Sequence, residues 1–434
     1  MIKKRILILG AGLTGLSAAW HLQERGIDCK VFEKESEVGG LCRSKTKKGF
    51  TFDYDGHLLH FRNKHSLNLV KKVLSGNLVK HHRNALVYSH NRYIPYPFQA
   101  NLHNLPSEVI KDCLNGLIQA SKCRNLGKNK KDLNFLEWIN QNFGKGIAEH
   151  FMVPYNSKFW GVSPEELTCQ WLGRFIPVPK VNEIIAGAKK RNCKPFGYNA
   201  CFWYPQNGGI SELPRALAKQ LKNIHLNLTV KGIDLKKKEV SLSTGNKEKY
   251  DYLISTIPLP ELPGLLKEIP ERISDQFKKL RWNSIFNLSL GLAGRDNLKR
   301  HWIYFSQKDI SFFRVGFFHN FSYCLAPQGN ASLYISVAYA QDKPFNRVGI
   351  IAQIKEDLRK TGILNGEKII TQHINDIKYG YPIYDFNYNT ATKEILGFLQ
   401  KNKVTSCGRY GAWRYLSMED AMLDGQAAAK GIIS

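Results

Sequence analysis

Residues 5–33 constrain the fold most tightly. Arg5-Ile6-Leu7-Ile8-Leu9 is an apolar run that reads as a strand buried on both faces. Gly10-Ala11-Gly12-Leu13-Thr14-Gly15 follows as a turn. A helix is expected from about Leu13 to Arg25, stopped by Gly26, and Cys29-Lys30-Val31-Phe32 reads as a second strand ending at Glu33. Gly10 permits the tight turn, Gly12 lets backbone N–H groups close on a pyrophosphate, and Gly15 lets the helix pack on the strand. The helix N-terminus then faces the anion. Glu33, eighteen residues after Gly15, stands where a carboxylate accepts hydrogen bonds from an adenosine ribose. In this context the glycines indicate a dinucleotide-binding βαβ unit rather than an ordinary turn.

The chain continues Glu35-Ser36-Glu37-Val38-Gly39-Gly40-Leu41-Cys42-Arg43. This resembles the second glycine motif of FAD enzymes of the glutathione-reductase type. There the glycine pair and a following Arg or Ser meet the flavin side of the pyrophosphate. NAD enzymes do not usually carry it, so the resemblance favours FAD.

A chain of 434 residues can build two or three packed lobes. Lys3-Lys4-Arg5 before Ile-Leu-Ile-Leu mimics a signal peptide, but the apolar run stops at Gly10, where a nucleotide-binding turn replaces a cleavage site. No apolar stretch approaches a membrane span. Nine cysteines without a C-x-x-C pair argue against a disulfide framework or a zinc site; a reducing cytoplasmic setting and no metal are expected. The net charge of +27 is spread over short runs such as Lys45/Lys47/Lys48, Lys189-Lys190-Arg191 and Lys236-Lys237-Lys238. That pattern reads first as a lysine-rich solvated surface, and secondly as attraction to an anionic substrate or peripheral contact with a membrane. No recognition motif accompanies the charge, so no nucleic-acid partner is expected.

Lys48–Asp53 reads as a strand leading to a turn at Gly56, and helices are expected after Ser107 and near Phe135–Phe143, joined by a basic, exposed loop at 121–131. His225–Val230 and Glu239–Ser243 read as strands joined by a Lys-rich turn, and 283–292, 302–306, 312–318 and 332–340 as β-rich. The last segment returns to strand, Gly408 and helix. The fold class expected is α/β: an FAD-binding Rossmann-like domain with an inserted helical lobe and an antiparallel β-sheet lobe. Residues 1–85, 196–258 and 395–434 would form the first, 100–195 the second, and 86–99 with 259–394 the third, a substrate lobe.

Three groups of residues carry candidate chemistry. His57 follows Gly56 on a loop just past the second glycine motif, where it could approach a flavin ring. Tyr93–Gln99 and Phe151–Gly161 are aromatic segments that include amides; such faces stack on bases or sugars. Arg174, Arg314, Arg409 and Arg414 sit among aromatics and glycines, and a guanidinium there calls for an anion. Acids are scarce near Arg314 in the sequence, which favours a ligand anion over an internal pair.

Taken together, these segments resemble the UDP-galactopyranose mutase family, its eukaryotic-type branch in particular, over almost the whole chain. The anchors are Gly10-Ala11-Gly12-x-Thr14-Gly15-Leu16 with Gly39-Gly40-Leu41, Asp55-Gly56-His57, and Ile94-Pro95-Tyr96-Pro97-Phe98-Gln99. Phe151-Met152 with Pro154-Tyr155-Asn156 and Trp160, then Cys169-x-Trp171-Leu172-Gly173 and Asn199-Ala200-x-Phe202, continue the match. Trp302-x-Tyr304-Phe305, Phe312-Phe313-Arg314, Gly380-Tyr381-Pro382 and Gly408-Arg409-Tyr410-Gly411 through Tyr415 complete it.

The resemblance implies an FAD set of Gly10, Gly12, Thr14, Gly15, Glu33, Gly39, Gly40, Leu41, Arg43, Gly56, His57, Val230, Gly408, Arg409, Tyr415 and Met418. It implies a substrate set of Tyr96, Phe98, Gln99, Phe151, Tyr155, Asn156, Trp160, Arg174, Asn199, Tyr304, Arg314, Tyr381 and Tyr415. His57, Arg174, Arg314 and Arg409 would serve the chemistry, with the two arginines Arg174 and Arg314 clamping the diphosphate. Arg174 fits the pattern only with a one-residue shift, because Phe175 stands at the gapless position. In that family N5 of reduced FAD acts as a nucleophile at the anomeric carbon of a nucleotide sugar. The pyranose and furanose forms interconvert with no net oxidation, supplying furanose donors for cell-surface glycans. The implied partners are a nucleotide sugar, a reductant such as NAD(P)H or a reductase, and a second copy of the chain. The competing reading is an FAD-dependent oxidase or desaturase of the amine-oxidase or protoporphyrinogen-oxidase type, which shares the FAD fingerprint.

Overall fold

The computed structural model describes residues 4–123, 133–173, 175–295 and 298–433. Among them, five strands form an all-parallel sheet in the order Val404–Ser406, Tyr252–Ser255, Ile6–Leu9, Lys30–Phe32 and Ile224–His225. Ile6–Leu9 lies in the middle and is buried along its whole length, which is why it reads as an unbroken apolar run. The helix Leu13–Gln23 is buried almost all round because the C-terminal helix Met418–Ile433 packs on it. That crossing depends on Gly425, where a Cβ would lie 2.2 Å from the Thr14 carbonyl oxygen.

The expected pairing of His225–Val230 with Glu239–Ser243 is corrected. Ile224–His225 is a separate strand that extends the parallel sheet beside Val31 and Phe32. Asn227 then takes φ +57°, a left-handed conformation that ends the extended run, and the partner of Glu239–Leu242 is Val230–Asp234. The detour folds the chain onto the nucleotide end, where the Asn227 and Leu228 amides donate to the Glu35 and Glu33 carbonyls.

Seven strands form the second large sheet, in the order Ile369–Pro382, Trp282–Leu292, Ala331–Ala340, Arg314–Phe317, Trp302–Phe305, Ala85–Ser89 and Arg92–Pro95. It is antiparallel apart from Trp302–Phe305, which runs parallel to Ala85–Ser89. The helix Tyr388–Lys401 spans the expected domain edge at 394/395 and packs on both Glu271–Lys278 and Val404–Ser406.

In the helical region, Ser107–Cys123 crosses Phe135–Ile147 closely enough that a Cβ on Gly116 would lie 2.8 Å from the Gly146 amide. The aromatic segment after it is helical: one π-turn at Ala148–Met152 runs into Val153–Trp160, with Pro154 in the first turn and Gly161 at φ +74° closing it. Helical spacing sets Phe151, Tyr155 and Phe159 in a stacked ladder, with centroids 5.3 and 6.1 Å apart. No helix among the described residues is long and apolar enough to cross a membrane. Most of the loop expected at 121–131 falls outside the described residues.

Candidate functional site

A cavity of about 1250 Å³ lies among the described residues. Pockets for a single small ligand run to about 1,000 Å³. This one has space for a dinucleotide and a second ligand. Part of its wall comes from the parallel sheet, the loops that follow its strands, the strand Val230–Asp234 and the C-terminal helix: Gly10, Gly12, Thr14, Glu33, Gly39, Gly40, Leu41, Arg43, Val230 and Met418. The rest comes from the seven-stranded sheet and the helical region: Tyr96, Gln99, Phe151, Tyr155, Asn156, Asn199, Tyr304, Arg314 and Tyr381. Gly56, His57, Gly408, Arg409 and Tyr415 also line it. Gly408 and Arg409 connect the two walls. A Cβ on Gly408 would lie 2.6 Å from Thr14 Oγ1, while the Arg409 guanidinium lies over the Tyr381 and Tyr415 rings at 4.7 and 5.0 Å.

The three glycines of the first motif have different causes. Gly10 has φ +99°, and a Cβ on it would lie 2.3 Å from Thr256 Oγ1. A Cβ on Gly15 would lie 2.0 Å from the Gly10 carbonyl oxygen, so Gly15 packs helix on strand and does not line the cavity. At Gly12 a Cβ would meet none of the described residues within 4 Å, and φ −72°, ψ 176° suits any residue. The protein itself leaves that glycine unexplained, and a group lying against the backbone explains it. The helix starting at Leu13 has no capping side chain and no acid in its first turn, so its leading N–H groups are available to an anion. Glu33 accepts from the Ala11 amide at 2.7 Å and the Glu35 amide at 3.0 Å, one per carboxylate oxygen, which leaves lone pairs for a ribose. Arg43 donates to the Gly40 carbonyl at 2.8 Å and pins the second glycine turn. These features fit FAD.

Several expected residues lie elsewhere. Phe98 is fully buried and stacks on Phe151 at 4.9 Å; Trp160 is fully buried among Trp171, Tyr381 and Tyr415. Both brace cavity-lining rings from behind. Arg174 lies outside the described residues; its neighbour Phe175 lines the cavity and packs on Tyr415 at 4.2 Å. Arg414 does not line the cavity and donates to Asp424 at 2.6 Å. The largest correction concerns Arg314. Its Nη2 donates to Asp55 Oδ2 at 2.7 Å, so it has an internal carboxylate partner 259 residues away in sequence. Asp55, Tyr334, Phe175 and Tyr198 also line the cavity and belong to neither the expected FAD set nor the expected substrate set. Gly56 and Gly316 were the available signal for Tyr334: a Cβ on either would lie within 2.1 Å of that side chain.

The electrostatics are uneven. Burial works against the ionised Asp55, yet the Arg314 charge and the Ser336 hydrogen bond outweigh it and hold the carboxyl below its usual range. Arg409 has no acidic partner among the described residues. It donates to the Leu416 and Gly380 carbonyls at 2.9 and 3.1 Å, and its Nε is buried without a partner. Burial pushes the Tyr155 and Tyr415 hydroxyls well up, so both remain donors at neutral pH. The cavity therefore presents cations and hydroxyl donors where an oxyanion would sit.

Burial pushes the His57 imidazole down to about 4, against the opposing pull of Asp55. Its Nδ1 lies 3.1 Å from the Asp55 carbonyl oxygen, so a proton there would donate to it and leave Nε2 as an acceptor. The unfolded chain takes up a proton near its ordinary value of about 6.5 while the folded one does not. This group therefore withdraws stability as pH falls from about 6.5 toward about 4. Histidine-selective NMR is expected to show a neutral His57 from pH 8 to about 5; a midpoint near 6.5 would contradict its burial.

A profile described as "Flavin containing amine oxidoreductase" matches residues 13–433. The chain belongs to that family. FAD is accordingly its cofactor, in agreement with the cradle at Gly12. Within the flavin amine oxidoreductases, a crystal structure of reduced UDP-galactopyranose mutase superposes with a TM-score of 0.94 at 28% identity, covering 100% of this chain and 94% of that one. A probable UDP-galactopyranose mutase of Klebsiella pneumoniae is 28% identical over 41% of this chain and 46% of its own length. The coproporphyrinogen III oxidase of Bacillus subtilis (strain 168) is 24% identical over 91% of this chain and 90% of its own length. The resemblance to the mutase family thus extends to the three-dimensional structure.

Proposed function

We propose that this flavoprotein interconverts the pyranose and furanose forms of a nucleotide sugar of the UDP-galactose kind. The observation that carries the reading is the convergence of Arg314 and Arg409 with the half-buried Tyr155, Tyr304 and Tyr415 and the buried Tyr381 on the cavity that also contains the Gly12 cradle. A diphosphate needs several fixed donors, and a leaving group that departs and returns needs them to stay in place. Reduced FAD, when bound, supplies a nucleophilic N5 to the anomeric carbon.

The chain's own residues do the rest. Arg314, Tyr304 and Tyr381 hold the diphosphate through its departure and return. The stacked face of Phe151 and Tyr155 receives the base, with Gln99, Asn156 and Asn199 as polar edges. The Gln99 and Asn156 side-chain amides already donate to the Pro177 and Met152 carbonyls, so their carbonyl oxygens are left to accept from the ligand. His57, neutral at working pH, adds a hydrogen-bonding group without adding charge.

The whole-length likeness to a coproporphyrinogen oxidase favours a second reading, in which the arginines receive substrate carboxylates and the flavin is oxidised by oxygen. Chromatography separates the two. Dithionite-reduced protein is expected to convert UDP-galactofuranose to the pyranose form and oxidised protein is not. No conversion in either state would remove the mutase reading.

A further inference from the structure

We propose that Asp55 is the positioning residue for Arg314: it fixes the guanidinium through Nη2 so that Nη1 is presented to the ligand's diphosphate. This rests on the mutase reading above.

The geometry is that of a built site. Asn287, Ser336 and Arg314 occupy three adjacent strands and lie in register as direct cross-strand neighbours, Asn287 opposite Ser336 and Ser336 opposite Arg314. All three side chains converge on one carboxylate. Asp55 Oδ1 accepts from Ser336 Oγ at 2.7 Å and from Asn287 Nδ2 at 3.0 Å, while Oδ2 accepts from Arg314 Nη2 at 2.7 Å. Asn287 is itself held by Ser289 Oγ, which donates to its Oδ1 at 3.1 Å. Asp55 is 8% exposed, so the row is anchored from inside the protein.

Arginine and carboxylate frequently pair through two parallel N–H groups. Here only Nη2 is engaged, with Asp55 and, at 3.5 Å, with Ser336. Nε is buried with no partner, and Nη1 donates to none of the described residues. The guanidinium rests over the Phe313 and Tyr334 rings at 5.5 and 5.3 Å, which limits its swing. A planar fork held at one corner, with Nη1 unfilled in a residue that lines the cavity, is prepared for a second anion. Without Asp55 the long side chain would sample other rotamers, and ordering it would fall on each binding event.

The test is a double-mutant cycle on the FAD-loaded protein, read as dissociation constants for UDP and for uridine. Asp55→Asn is expected to weaken UDP binding about tenfold. Uridine binding should be unchanged, and Asp55→Asn should add nothing in an Arg314→Ala background. Ser336→Ala, a milder change to the same anchor, is expected to act in the same direction and gives the result even if Asp55→Asn folds poorly. Tighter UDP binding would overturn the proposal, since Asp55 would then be a counter-ion only. Equal weakening of UDP and uridine would overturn it as a general structural defect, and additivity with Arg314→Ala would overturn the link between the two residues. If wild-type protein binds no nucleoside diphosphate, the mutase reading fails first and this inference with it.

Discussion

Gly12→Val is expected to strip the protein of FAD while leaving its fold in place. The backbone at Gly12 has φ −72° and ψ 176°, open to any residue, and a Cβ there meets none of the described residues within 4 Å. The folded chain should therefore tolerate the side chain. A pyrophosphate lying against this turn would not, because the branch would occupy the space through which the backbone N–H groups reach it. Overpacking of this kind costs about 1–3 kcal/mol, and the upper end is roughly a hundredfold in affinity. The flavin-to-protein absorbance ratio should fall to near zero with an unchanged circular-dichroism spectrum. Gly15→Val is the control. Its Cβ would lie 2.0 Å from the Gly10 carbonyl oxygen, so the fold itself should fail. Stoichiometric FAD in Gly12→Val would show that the cradle has been misread.

Arg314→Ala is expected to have the largest effect on nucleotide-sugar turnover. It removes a cavity cation and at the same time leaves Asp55 buried with only Ser336 and Asn287 as side-chain donors. Breaking one side of a buried ion pair costs about 3–5 kcal/mol. Catalytic efficiency should fall by about a thousandfold. FAD content should hold, since Arg314 lies on the seven-stranded sheet and the Gly12 cradle on the parallel one. The variant should also reverse a pH dependence. In the wild type the Asp55 carboxyl is held low, so its contribution to stability is present above the unfolded value of about 3.9 and is lost only as pH falls through the folded one. Without Arg314, burial dominates and the carboxyl rises. The contribution is then complete at low pH and lost as pH rises. Thermal melts between pH 5 and 8 should show Arg314→Ala gaining ground on wild type toward pH 5. Parallel curves would contradict the pairing.

The nucleotide half of the site was legible because its chemistry is local. Gly10, Gly12, Gly15 and Glu33 act through backbone conformation and spacing inside one βαβ unit, and Gly39, Gly40 and Arg43 follow within ten residues of Glu33. The second half was legible as residue types and less so as positions. Phe98 and Phe151 are both aromatic residues of matching segments, and only packing decides that one lies behind the other. The partner of Arg314 is 259 residues away, so a count of nearby acids could not find it. The Phe151–Gly161 segment reads in sequence only as an aromatic stretch, because Pro154 obscures a helix that tolerates proline in its first turn. The misplaced strand at His225–Val230 has a smaller cause: Asn227 at positive φ interrupts an alternation that otherwise looks continuous.

The measurement that tests the account most directly follows oxygen uptake, flavin absorbance and sugar ring form together in one anaerobic-to-aerobic series. Protein reduced once with dithionite is offered UDP-galactofuranose in one arm and coproporphyrinogen in the other. The account expects many turnovers of furanose to pyranose under anaerobic conditions with no lasting change in flavin absorbance, and no oxygen uptake driven by coproporphyrinogen. Substrate-dependent oxygen consumption with coproporphyrinogen, and an unconverted furanose, would contradict it.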